Sequence, residues 1–160
     1  MNHEGSSNLP IIHFLGSDGI RTRARRYLEE LTSLSPLQAS WGTLGAPFYP
    51  SSPLVIEKML TLAGVNSEST VYDLGCGDGE IVVAAARDHN AKKAVGIEQD
   101  QKLCSIALRK TRHLRNTIII NANYDDVDIS EADVVMLYQS TSGNARLKRK
   151  LVKELRGDPR

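Results

Sequence analysis

The later two thirds of the chain alternate between short continuous apolar runs and longer amphipathic ones. Short runs fall at 70–74, 93–98, 117–121 and 134–138, with Ile118, Ile119 and Ile120 at the centre of the third. Runs of this length, rich in β-branched residues, predict strands buried on both faces. Apolar residues recurring every three or four positions predict helices over 79–88, 101–112 and 144–155. Another helix is expected over 53–63, with Pro53 in its first turn, Ser51 or Ser52 as its cap and Gly64 at its end. Strands alternating with helices in this order predict an α/β fold: a doubly wound, mainly parallel sheet with helices on both faces.

The first third reads differently. Residues 1–18 are polar and rich in Gly and Ser, the composition of a mobile N-terminal segment. Residues 19–46 read as a helical extension and loop: Tyr27, Leu28 and Leu31 sit at helical spacing within 21–34, and a Pro, Gly and Ser-rich stretch with Trp41 follows. The start of that helix carries Arg21, Arg23, Arg25 and Arg26. No aromatic residues interleave them to stack on bases, so a solvated helical face is the better reading than an RNA patch. The prolines of Pro47-Phe48-Tyr49-Pro50-Ser51-Ser52-Pro53 make the entry to the main domain, 47–160, stiff and extended.

Composition narrows the class. A chain of 160 residues is expected to form one domain, and a net charge of +1 supplies no field to attract nucleic acid or membrane. No apolar run approaches the roughly 18 residues a membrane helix needs. The two cysteines, Cys76 and Cys104, lack a C-x-x-C partner, which argues against a metal site and suits a reducing, cytoplasmic setting.

The chemistry concentrates where the first strand breaks. Val71-Tyr72-Asp73-Leu74-Gly75-Cys76-Gly77-Asp78-Gly79-Glu80 is an apolar strand holding an acid, then three alternating glycines, then the apolar start of a helix. Such a turn lets a ligand approach the backbone. A dinucleotide fingerprint would need a glycine where Glu80 stands. The G-x-G-x-G spacing with Asp73 upstream fits the S-adenosylmethionine (SAM) site of class I methyltransferases better. Glu98, nineteen residues after Gly79 and at the end of the next strand, is placed to accept hydrogen bonds from ribose hydroxyls. After the third strand comes Asn121-Ala122-Asn123-Tyr124-Asp125, where an amide or carboxylate could bond an adenine amino group while the adjacent ring packs on the base. After the fourth, residues 138–144 are polar and uncharged, where a methyl acceptor would enter. Cys76 reads as a small packing residue rather than a reactive thiol. No Ser/His/Asp set is recognisable, which methyl transfer does not require, since it depends chiefly on positioning and a deprotonated acceptor.

From about residue 47 to 155 the chain resembles the small archaeal protein-lysine methyltransferases and their mitochondrial relatives that modify lysines of ATP synthase c-subunits and the adenine nucleotide translocase; Dot1 enzymes are more distantly similar. The resemblance rests on Pro47-Phe48-x-Pro50-x-x-Pro53, the glycine motif, Val95-Gly96-Ile97-Glu98, Asn123-Tyr124-x-x-Val127-Asp128-Ile129-Ser130 and Leu147-Lys148-x-Lys150-Leu151. It implies that Tyr49 and Pro50 close over the donor. Asp73, Gly75, Cys76, Gly77, Gly79 and Glu98 would bind SAM, and Asn123 and Tyr124 would hold its adenine. Residues 138–144, with Tyr138 and Asn144 as acceptor-side candidates, would face an incoming lysine of a protein substrate. The group usually carries an arginine where this chain has Glu80, and its members continue into further strands. With the chain ending at Arg160, a truncated sheet is expected, its fourth strand open to self-association and its turnover weak.

Overall fold

The computed structural model describes residues 52–137, 150, 151, 153 and 154. The expected segments 1–18 and 19–46, with Tyr49, Pro50, Tyr138 and Asn144, lie outside them.

Helix α1, Pro53–Leu62, starts as the sequence expects. Ser52, not Ser51, is the cap: its hydroxyl accepts from the Val55 N–H at 3.3 Å, and Pro53 takes the first turn, where a missing N–H costs nothing. Strand β1 is Thr70–Leu74, helix α2 Glu80–Arg87, β2 Lys93–Glu98, α3 Gln101–Thr111, β3 Thr117–Asn121 and β4 Val134–Leu137; a single 3₁₀ turn, Tyr124–Asp126, follows β3. Four helix ends differ by one residue from the expected bounds, Ala63 capping α1 rather than belonging to it. Gly79 sits outside α2 because its φ is 85°, a left-handed conformation no helix continues through, and Asp88 caps the other end. Arg112 caps α3 rather than belonging to it.

The four strands form one parallel sheet in the order β3-β2-β1-β4. The chain steps outward from β1 to β3, then returns to pair β4 with the other side of β1. The strand order therefore reverses between β1 and β4, the place where ligands bind in open α/β sheets. Right-handed crossovers put α2 and α3 on the same face. There they join α1 in a core of Ile56, Met59, Leu60, Val82, Ala85 and Ala107 against Val71, Ala94, Val134 and Met136. The small residues 84–86 of α2, all alanine and all buried, let that helix lie close on the sheet. The opposite face, with Tyr72, Leu74, Val95, Ile97, Val135 and Leu137, is covered by Ile129 and by Leu151 from the helical residues near the end. Asp133 accepts the Thr70 N–H at 2.7 Å and so pins the return segment to the start of β1. Among the described residues, β4 hydrogen-bonds β1 alone.

Candidate methyl-donor site

The site is built at the carboxyl ends of β1 and β2, whose register sets Asp73 opposite Gly96 and Leu74 opposite Ile97. The chain turns back sharply after Leu74. Both the Gly75 and Cys76 N–H groups donate to the Ile97 carbonyl, at 2.8 and 3.0 Å, and the Gly79 N–H donates to the Cys76 carbonyl at 2.9 Å. The three glycines have φ of 80°, 56° and 85°, a region that side chains make costly. Gly79 has a second reason to be glycine, and it is not the ligand. A Cβ there would lie 2.9 Å from the Ala107 Cβ, so this position is glycine because α3 packs on it.

Cys76 is buried, and its thiol occupies the space beside Gly96, where a Cβ would stand 2.7 Å from Sγ. Burial first, and then the nearby Asp73 and Glu98 carboxyls, push the thiol far above its ordinary range. It is un-ionised and packed, as the sequence reading held, and only its backbone belongs to the turn.

Asp73 is 2% exposed, and among the described residues its Oδ2 has no hydrogen-bond partner. Burial, reinforced by the charges of Glu98 and Asp78, pushes its carboxyl up to about 7. A buried carboxyl with an unsatisfied oxygen is costly, and in a binding protein it marks where a donor or a cation belongs.

Glu98 is in the opposite condition. Its Oε2 accepts from the Gly77 N–H and its Oε1 from the Asp100 N–H, both at 2.8 Å. It therefore ties the glycine turn to the β2 loop while keeping further acceptor capacity, since a carboxylate has about four lone-pair sites. Asp100 in turn caps α3, its Oδ1 accepting from Lys102 and Leu103 at 2.8 and 3.0 Å. On the far side of β2, Asn121 donates to the carbonyls of Glu98 and Gln99 at 2.9 and 3.1 Å, which fixes the end of β3 against the end of β2. Asn123 then caps the 3₁₀ turn by accepting the Asp125 N–H at 3.0 Å, and Tyr124 packs half-buried against the core of that face.

The residues the sequence singled out at Asp73, 75–79 and Glu98 thus converge on one turn, with Asn123 and Tyr124 following the neighbouring strand. One role and one residue were missed. Asn121, expected as one of the residues that could reach adenine, instead braces the backbone carbonyls of Glu98 and Gln99, which no motif records. Lys110 of α3 reaches both Asp78 and Glu80, at 2.5 Å each, across thirty-two and thirty residues of chain. Its only trace in the sequence is its position one turn after Ala107, on the same helical face. Among the described residues no group of His, Cys, Asp or Glu could hold a metal ion, and no helix is long and apolar enough to cross a membrane.

Comparison with known proteins agrees with this geometry. The family described as the ANTKMT methyltransferase domain matches residues 73–160. A protein-lysine N-methyltransferase of Saccharolobus islandicus (strain REY15A) is 43% identical over 113 residues, which cover 69% of this chain and 70% of that protein. The crystal structure of an RNA methyltransferase from Salinibacter ruber in complex with S-adenosyl-L-homocysteine is 38% identical with a TM-score of 0.64, covering 66% of this chain and 71% of that one. A dimethyladenosine transferase from Plasmodium falciparum, at 20% identity and a TM-score of 0.61, shares the fold over 68% of this chain and 40% of its own. The parallel sheet, the glycine turn after β1 and the acid ending β2 are the frame of a Rossmann-like class I, SAM-dependent methyltransferase, and the chain belongs to the ANTKMT methyltransferase domain family.

Proposed function

We propose that this chain transfers a methyl group from SAM to a lysine side chain of a protein. The observation that carries the donor half is Asp73, a buried carboxyl with an orphaned oxygen beside Glu98. SAM bears a sulfonium and an α-ammonium, so the residues present fit it: the buried acid meets positive charge, and Glu98 retains acceptors for ribose hydroxyls. The backbone from Gly75 to Gly79, including that of Cys76, lines the donor; Asn123 and Tyr124 hold its adenine; Tyr49 and Pro50 close over it. Bound SAM supplies an electrophilic methyl group. The chain's own task is to align the acceptor amine with that methyl and to admit the amine deprotonated, which positioning alone can accelerate strongly. Tyr138 and Asn144 face the acceptor in this reading. Supporting the lysine half is the 43% identity to a protein-lysine N-methyltransferase across most of both chains. Two un-bridged, buried cysteines suit a cytoplasmic setting.

The Salinibacter ruber relative, an RNA methyltransferase, supplies the second reading, an RNA acceptor. The balanced charge of +1 weighs against it, because RNA binding draws on a positive surface. Labelled SAM offered with a protein extract and with total RNA separates the two. The proposal expects label in protein, lost when substrate lysines are chemically blocked. Label in RNA alone would overturn the acceptor, and label in neither, with no SAM binding, would overturn the donor as well.

A further inference from the structure

We propose that Lys110 is a positioning residue for the donor site, holding the glycine turn in shape through Asp78 and Glu80. The inference rests on the donor-site reading above. The turn needs such a support. Its glycines give it little rigidity of their own, and Gly79, the cap of α2, makes no side-chain hydrogen bond to that helix. One side of the turn is held by Glu98, which accepts the Gly77 N–H. The other side is held by α3, at two points one helical turn apart. Ala107 lies directly under Gly79, and Lys110 bonds the carboxylates on either side of it.

Charge makes the second point effective. Asp78 and Glu80 flank a single residue and would repel each other if left unpaired. The Lys110 ammonium lies between them, about one-third exposed. Burial disfavours its charge, but the hydrogen bonds it donates to Asp78 and Glu80 outweigh that and hold the amine above the usual lysine range. Lys110 also neutralises Asp78, one of the carboxylates that acts on Asp73. Glu80 thus finds its cation on α3 rather than on its own helix.

Positioning and charge predict different ligand profiles, which makes the inference testable. Losing Lys110 adds net negative charge near the site, which by itself favours cationic SAM over S-adenosylhomocysteine, which lacks the sulfonium. Losing the support weakens both ligands alike. We expect Lys110→Met to weaken both by a similar factor of about fivefold to tenfold, the range for a partly exposed pair of charged hydrogen bonds. Lys110→Arg should restore most of that loss, and amide exchange in the ligand-free protein should quicken at 77–80 in Lys110→Met but not across the sheet. Unchanged or tighter SAM binding, or unchanged exchange at the turn, overturns the inference. If Lys110→Met fails to fold, the double variant Asp78→Asn with Glu80→Gln breaks the same contacts but makes the site more positive, which by itself disfavours SAM, so its readouts are S-adenosylhomocysteine affinity and exchange at 77–80: the inference expects weaker binding and faster exchange, and either one unchanged overturns it. Wild-type protein that binds neither ligand would instead overturn the donor-site reading itself.

Discussion

Asp73 and Glu98 sit near the ends of adjacent strands, facing the same turn, and the protein treats them in opposite ways. Glu98 is half-buried and bonded through both oxygens to backbone N–H groups. Asp73 is buried with an oxygen that nothing in the described residues satisfies. The difference separates two roles that the sequence shows only as two acids. Glu98 is part of the scaffold as well as a candidate contact, because it holds Gly77 and the entry to α3. Asp73 has no such bond at its Oδ2 among the described residues. Its ionised form is a cost, which a cationic ligand would offset.

The turn joining the two acids is where the largest effect is expected. Gly79→Val requires a β-branched residue at φ 85° and sets its Cβ against Ala107. Overpacking and left-handed strain together should cost roughly 2–5 kcal/mol, visible as a lowered urea midpoint together with loss of SAM binding. A variant with wild-type stability would show that α3 does not press on the turn as described.

Glu98→Ala sharpens the comparison by removing an acid that is already bonded. SAM affinity should fall by about 1.5–3 kcal/mol, and, unlike a change at a pure ligand contact, ligand-free stability should fall too. Calorimetry paired with a thermal melt checks both. Loss of affinity with no loss of stability would mean that the bonds to Gly77 and Asp100 carry no weight.

Cys76→Ala should have the smallest effect. The thiol packs beside Gly96 and stays un-ionised, so its removal should lower Tm by about 2–4 °C, the shift for roughly 1 kcal/mol in a chain this size. SAM affinity should stay within about twofold, on the order of 0.4 kcal/mol. A large loss of affinity with an unchanged Tm would move the side chain into the site.

The contrast also marks how far the sequence could be read. Strands β1, β2 and β3 fall on their expected residues because a doubly buried parallel strand is apolar throughout, a local signal. The glycine turn and both acids were legible for a similar reason: backbone geometry and chemistry coincide within a few residues. What could not be read were partnerships across the chain. Nothing local says that Glu98 will bond Gly77, that Lys110 will reach Asp78, or that Gly79 must be small for the sake of Ala107. The orphaned state of Asp73 is likewise a property of packing, and in sequence it looks the same as Glu98.

The pH dependence of SAM binding tests the account most directly. Burial pushes the Asp73 carboxyl up to about 7 in the ligand-free fold, well above the ordinary aspartate range, and so favours its protonated form. That contribution to ligand-free stability is complete below the unfolded value and is lost as pH rises through about 7. Binding a cation has the opposite preference and requires the carboxylate. Titration calorimetry from pH 5 to 8 should therefore show affinity rising steeply, approaching roughly tenfold per pH unit, and flattening above about 7. Asp73→Asn should bind weakly and without that rise. Wild-type affinity that is flat across the range, or an Asp73→Asn variant that keeps the same pH profile, would contradict Asp73 as the carboxylate that receives the donor.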